Sequence, residues 1–115
     1  MNPFPERTCE LDRLVRQPRL VAAAIAGQKT QQRRDGVYGY PGERFALEGT
    51  HFTLTSLARQ RLGDMSEADA RAEGYPSLEA YKQIILSMHA GMEWNADALV
   101  WVHQFQKDAP QHPPA

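Results

Sequence analysis

Apolar residues along this chain fall in short blocks separated by polar stretches, and the blocks carry two different periods. Leu20, Val21, Ala24 and Ile25 recur at helical spacing, which predicts a helix from about Pro18 to Ala26. Pro18 suits its first turn and Gly27 the position just past its end. A shorter helical turn is expected around Leu11 to Val15. The run from Gly27 to Arg34 is polar throughout and lacks helical periodicity, so it reads as an extended segment. Arg44 to Glu48 alternates with Phe45 and Leu47 inward, Gly49-Thr50 turns the chain, and His51 to about Leu57 forms a partner strand with Phe52 and Leu54 inward. The alternation shifts near Ser56-Leu57, as a bulge would make it do.

The second half returns to the helical period. Ser66-Glu67-Ala68-Asp69 resembles a capping box and opens a short helix that Gly74 ends. A further helix is expected from Ser77 to His89, with Leu78, Tyr81, Ile85 and Met88 on one face and Gly91 closing it. Leu99 to Phe105 is apolar, β-branched and aromatic, and reads as a strand covered on both faces. Trp94 and Trp101, with apolar neighbours, are assigned to the core. The order helix, strands, two helices, strand is α+β. So few strands are best used in a small barrel with helices against its openings.

Composition narrows the picture. One domain is what 115 residues support, and 42% apolar residues suffice for one core. Residues 1–10 read as an N-terminal extension, 11–106 as the domain, and 107–115, with three prolines and little to bury, as a disordered tail. Thirteen basic and fourteen acidic residues give a formal charge of −1, which excludes holding duplex nucleic acid by bulk charge, though not a local basic pocket. Cys9 has no partner for an internal disulfide, which fits a reducing compartment. The apolar run Leu20 to Ala26 is too short to span a bilayer, and no signal peptide is evident, so a cytoplasmic protein is expected. The four histidines show no metal-ligand spacing, and neither a metal nor a cofactor is expected. Gly36 to Gly42 is glycine-rich but has neither the Gly-Lys-Ser/Thr of a phosphate-binding loop nor a dinucleotide-fold context.

Three segments in order carry a family likeness: Gly27-Gln28-Lys29-Thr30 with arginines following, Pro41-Gly42-Glu43 before a strand, and Ser66 to Tyr75 with Ala70, Glu73 and Gly74. Together they resemble the ASCH family over about residues 11–106. The resemblance implies a small PUA-like mixed β-barrel with flanking helices and a cleft between barrel and helices. It also implies a partner that is single-stranded RNA or a nucleoside. Some small bacterial ASCH proteins are amidohydrolases that remove the acetyl group from N4-acetylcytidine, and an interaction module with no ligand is a third reading.

The candidate site follows from these segments. Lys29, where the chain leaves a helix, is a base if desolvation lowers its pKa, a point charge for a phosphate, or a plain solvated lysine at a helix end. In a strand, Lys29, Gln31 and Arg33 share one face while Thr30, Gln32 and Arg34 share the other, and a bulge would break that parity. Either Arg33 or Arg34 is therefore open as the partner of Lys29 and as a clamp for a phosphate or base edge. Glu73 matches the glutamate of the amidohydrolase members and would orient Lys29 or shuttle a proton. The family's nucleophilic threonine stands three residues after the lysine, and here that position is Gln32, which is no nucleophile. Thr30 or a water would replace it, or Gln32 would read a base edge with its donor and acceptor. Tyr38 and Tyr40 are candidates for stacking on a base.

Overall fold

Proline and glycine set the ends of the first helix as the pattern predicts. In the computed structural model, which describes residues 4–88 and 93–108, helix α1 spans Pro18–Ile25 and buries Leu20, Val21 and Ala24. A 3-10 turn at Leu11–Arg13 precedes it. Four strands follow the expected places: β1 (Gln31–Arg34), β2 (Arg44–Leu47), β3 (Thr50–Arg61) and β4 (Leu99–Lys107). Helices α2 (Glu67–Glu73) and α3 (Leu78–Met88) lie between β3 and β4. His89 and Gly91, expected to end α3, lie outside the described residues, as does the side chain of Met88.

The sheet order is β1-β4-β3-β2, so the last strand inserts between the first and the third. All three pairings are antiparallel, and the curled sheet is an open half-barrel flanked by the helices. This is an α+β fold of the expected kind, in which every pairing among the described residues is antiparallel rather than mixed. The β2–β3 hairpin turns at Glu48-Gly49, with φ of 49° and 83°, one residue earlier than expected. Thr50 already pairs with Leu47, and glycine supplies the second left-handed position of such a two-residue turn. The irregularity in β3 falls between Leu54 and Ser56, close to the predicted shift. Beyond it β3 continues to Arg61, well past Leu57, because β4 supplies ladder partners for Ala58 and the polar Arg59, Gln60 and Arg61.

Phe45, Phe52 and Phe105 meet at centroid distances of 5.4 to 5.6 Å in the centre of the core. Leu11, Leu14 and the buried face of α1 pack onto the same core, as do Ala70, Tyr75 and Tyr81. The capping box of α2 is formed in both directions: Asp69 N–H donates to Ser66 Oγ at 3.1 Å and Ser66 N–H to Asp69 Oδ2 at 2.9 Å. Gly74, at φ 105°, ends α2 in the left-handed conformation.

Two expectations change. β4 is buried at Val102, His103 and Phe105, but Leu99 is 47% exposed and Trp101 only half-buried. The Arg59 guanidinium lies 5.5 Å from the Trp101 ring centroid, so a cation covers the indole where core was expected. Trp94 is half-buried against Tyr81 and the core edge, with Lys82 over its ring. The chain ends also do more than their composition suggests. Residues 4–10 hold no helix or strand, yet Thr8 N–H donates to Val37 O at 2.7 Å. Lys107 belongs to β4, and the Asp108 carboxylate accepts from Arg44 and Thr53; residues 109–115 lie outside the described residues.

Candidate functional site

Lys29 leaves α1 through the turn at Gly27 and is buried at once, 1% exposed. The start of β1 is clamped to the end of α2, because Thr30 N–H donates to Ala72 O at 2.8 Å. That clamp sets the Lys29 ammonium against the C-terminal turn of α2. Nζ donates to Gln31 O at 2.6 Å and to Glu73 O at 2.7 Å, and stands 3.8 Å from Glu73 Oε1. Burial lowers its pKa to about 8, against the opposing pull of the Glu73 carboxylate. Among the readings open from sequence, the solvated lysine is excluded by this burial.

Glu73 is equally buried, and it stands at a helix C-terminus, where the backbone dipole disfavours an anion. Arg33 supplies the compensation. Its main-chain N–H donates to Oε1 at 3.2 Å and its guanidinium to Oε2 at 2.9 Å. The guanidinium also donates to Gln60 on β3 and lies 3.7 Å from Asp69 Oδ2. The alternation read from the sequence holds: Lys29, Gln31 and Arg33 are all buried, so Arg33, not Arg34, is the arginine that joins Lys29 at Glu73.

A cleft of about 850 Å³ opens beside this cluster. Gln32, Arg33, Arg34 and Glu73 are among its lining residues, while Lys29, 3.8 Å from the Glu73 carboxylate, is not. Arg34 crosses to the segment before α1, donating from Nε and a terminal nitrogen to Leu14 O at 3.2 and 2.7 Å. Gln32 Nε2 donates to Arg33 O at 3.1 Å, and its Oε1 is buried with no partner. Arg33 Nε is the other buried side-chain polar atom without a partner among the described residues.

Three sequence candidates sit apart from the cleft lining. Thr30 is exposed. Tyr38 lies under the Arg34 guanidinium, 5.2 Å from ring centroid to Cζ, with its edge on His103. Tyr40 donates from its hydroxyl to Pro5 O at 2.7 Å and carries Arg7 over its ring. The sequence reasoning missed other lining residues: Arg16 and Gln17 at the start of α1, and an aromatic wall of Tyr75, Tyr81 and Trp94. Arg19, over the Tyr75 ring at 5.2 Å, was missed with them. The three arginines of Arg13-x-x-Arg16-x-x-Arg19 were the available signal. His103, fully buried in β4, was also missed; its Nε2 accepts from Tyr38 N–H at 3.0 Å. Among the described residues no group of three or more His, Cys, Asp or Glu is placed to hold a metal ion, and no helix is long and apolar enough to cross a membrane.

No protein-family model matches the chain, and no curated protein matches it. Solved structures do. The chain is similar to a crystal structure of an ASCH domain from Lactobacillus crispatus JV V101, with a TM-score of 0.61 and 16% identity over 76% of this chain and 69% of that one. It is also similar to a protein from Enterococcus faecalis V583 that carries the family designation DUF984, with a TM-score of 0.56 and 18% identity over 78% of this chain and 67% of that one. At these identities the likeness is one of fold: an ASCH-like α+β domain.

Proposed function

We propose, with the ASCH-like fold as premise, that this domain binds single-stranded RNA or a nucleoside in the cleft between the half-barrel and the helices. The observation that carries the reading is the make-up of the cleft walls. The lining includes Gln32 and Arg34, which suit base edges and phosphates. It also includes Tyr75, Tyr81 and half-buried Trp94, apolar surface for a base face. Tyr38 and Tyr40, engaged with Arg34 and with the N-terminal segment, leave the stacking role to Trp94.

A second reading, hydrolysis of an N4-acylated cytidine, is favoured by the Glu73 carboxylate on the cleft wall with the Lys29 ammonium 3.8 Å from it. Glu73 would take a proton from an attacking water, since Gln32 stands where the family's threonine would be. Lys29, which does not line the cleft, would position Glu73 and set its charge. Incubating the protein with acylated and unmodified cytidines and short RNAs, read by mass spectrometry and titration, tests both readings. Saturable binding without turnover supports the binding domain. A released acyl group supports the hydrolase, and no binding of any member of the panel overturns both.

A further inference from the structure

The five charged residues that line the cleft do not cancel evenly. Arg33 is spent on Glu73, in a buried pair 2.9 Å long. That leaves Arg16 and Arg34 against Asp35. Among the described residues the Arg34 guanidinium donates to the carbonyls of Leu14 and Arg13, so its charge is held in place but not neutralised by a carboxylate. Arg16 is exposed and takes part in none of the six ion pairs among the described residues. Arg19, which does not itself line the cleft, lies over the ring of Tyr75, which does, and takes part in none of those ion pairs either. Two guanidiniums without a carboxylate partner, those of Arg16 and Arg34, thus line a cleft in a chain whose net charge is −1, and a third, that of Arg19, covers the ring of the lining residue Tyr75. Helix α1 begins between Arg16 and Arg19 with no side-chain cap at Gln17, which adds its partial positive charge to the same place.

We infer that Arg16, Arg19 and Arg34 together form a phosphate-binding rim of the cleft, and that the ligand of the cleft carries a phosphate there. The inference rests on the cleft being a nucleotide or RNA site, and it narrows the ligand class from a free nucleoside to a phosphate-bearing one. The geometry suits a division of labour. Tyr75, Tyr81, Trp94 and Gln32 line the cleft and offer a base apolar faces and a polar edge. Arg16 and Arg19 are exposed and Arg34 half-buried, so a phosphate beside them keeps part of its hydration and pairs with planar donor forks. The same chemistry is offered by the terminal phosphate of a mononucleotide and by the internal phosphates of a strand.

The experiment is calorimetric titration of the full chain with cytidine, cytidine 5′-monophosphate and a short unstructured oligoribonucleotide, at two salt concentrations. Phosphate-bearing ligands are expected to bind about tenfold or more tighter than cytidine at low salt, an advantage that shrinks as salt rises. The Arg16→Gln/Arg19→Gln double variant removes two exposed charges without touching the buried cluster. It is expected to lower phosphate-dependent affinity by a larger factor than cytidine affinity and to reduce the salt slope by about 0.7 for each phosphate no longer neutralised. A gain seen with the oligonucleotide alone assigns the rim to internal strand phosphates, and a gain with the monophosphate as well assigns it to a terminal phosphate. Equal affinity for cytidine and its monophosphate and oligonucleotide overturns the subsite while leaving the nucleoside site standing. An unchanged salt slope in the double variant, with its fold intact by circular dichroism, also overturns it. Failure of all three ligands to bind overturns the site and the subsite together.

Discussion

The Lys29 ammonium donates to the main-chain carbonyl of Glu73 at 2.7 Å and stands 3.8 Å from its carboxylate, with both side chains almost wholly buried. One residue of α2 thereby fixes the lysine twice, through the exposed end of its helix backbone and through its charge. Removing either partner leaves a buried group uncompensated, which is the costly way to break such a pair. Arg33 closes the arrangement from β1, so two cations share one carboxylate.

The excess of buried positive charge gives this cluster an alkaline signature. In the unfolded chain Lys29 keeps its proton to about 10.5, whereas in the fold burial lowers its pKa to about 8. Between those values the unfolded state binds more protons, so stability rises with pH across that window. Burial raises the pKa of Tyr38, Tyr75 and Tyr81, which acts in the opposite direction above about pH 10. Urea unfolding is therefore expected to show stability increasing from about pH 8 to 9.5, and Lys29→Met is expected to lose that increase. A variant that retains the same slope would show that another group causes it.

His103 gives the acid side its own signature. Its Nε2 accepts from Tyr38 N–H, so the ring proton is on Nδ1, 3.2 Å from Gln32 O and from Trp101 O. A second ring proton would face the Tyr38 N–H, and burial holds the pKa below 6.5. Here the unfolded state binds more protons below about 6.5, so stability present above that pH is lost as the pH falls through the folded-state value. The unfolding midpoint is expected to drop as the pH falls below about 6.5, and His103→Gln is expected to flatten that drop. Because His103 ties β4 both to β1 and to the loop carrying Tyr38, hydrogen exchange at Tyr38 N–H should speed up over the same interval. Exchange there that ignores pH beyond its intrinsic dependence would refute the coupling.

How much of this was legible in the sequence follows the physics of each signal. Alternation is local, so the burial of Lys29, Gln31 and Arg33 on one side of β1 could be anticipated, although its meeting with Glu73, 40 residues on from Arg33, could not be located by spacing alone. The capping box and the glycine at the end of α2 were readable because they depend on a few neighbouring residues. The far end of β3 was not, because Ala58 to Arg61 gain their strand partners from β4, far along the chain. Arg16 and Arg19 drew no attention in the sequence, and only the fold brings Arg16 to the cleft lining and Arg19 over the ring of Tyr75. Trp101 was assigned inward by its neighbours, and the structure covers it with an arginine instead.

Gln32 is the residue whose stability and ligand effects are expected to oppose each other. Its amide orientation is dictated locally: Nε2 faces the Arg33 carbonyl, and a flipped amide would set two oxygens face to face. Oε1 is therefore directed into a buried position with no donor, an arrangement that costs about 1–3 kcal/mol. Methionine has nearly the same length and no unmet polar atom. Gln32→Met forfeits one side-chain hydrogen bond of about 1 kcal/mol and removes that penalty, so its stability is expected to be unchanged or slightly raised. The same substitution deletes the free acceptor beside the cleft and is expected to weaken binding of an N–H-bearing base about tenfold, the worth of one hydrogen bond at a desolvated site. Denaturant titration and ligand titration of the one variant decide it. A loss of more than about 2 kcal/mol in stability would mean that Gln32 serves the fold rather than a ligand.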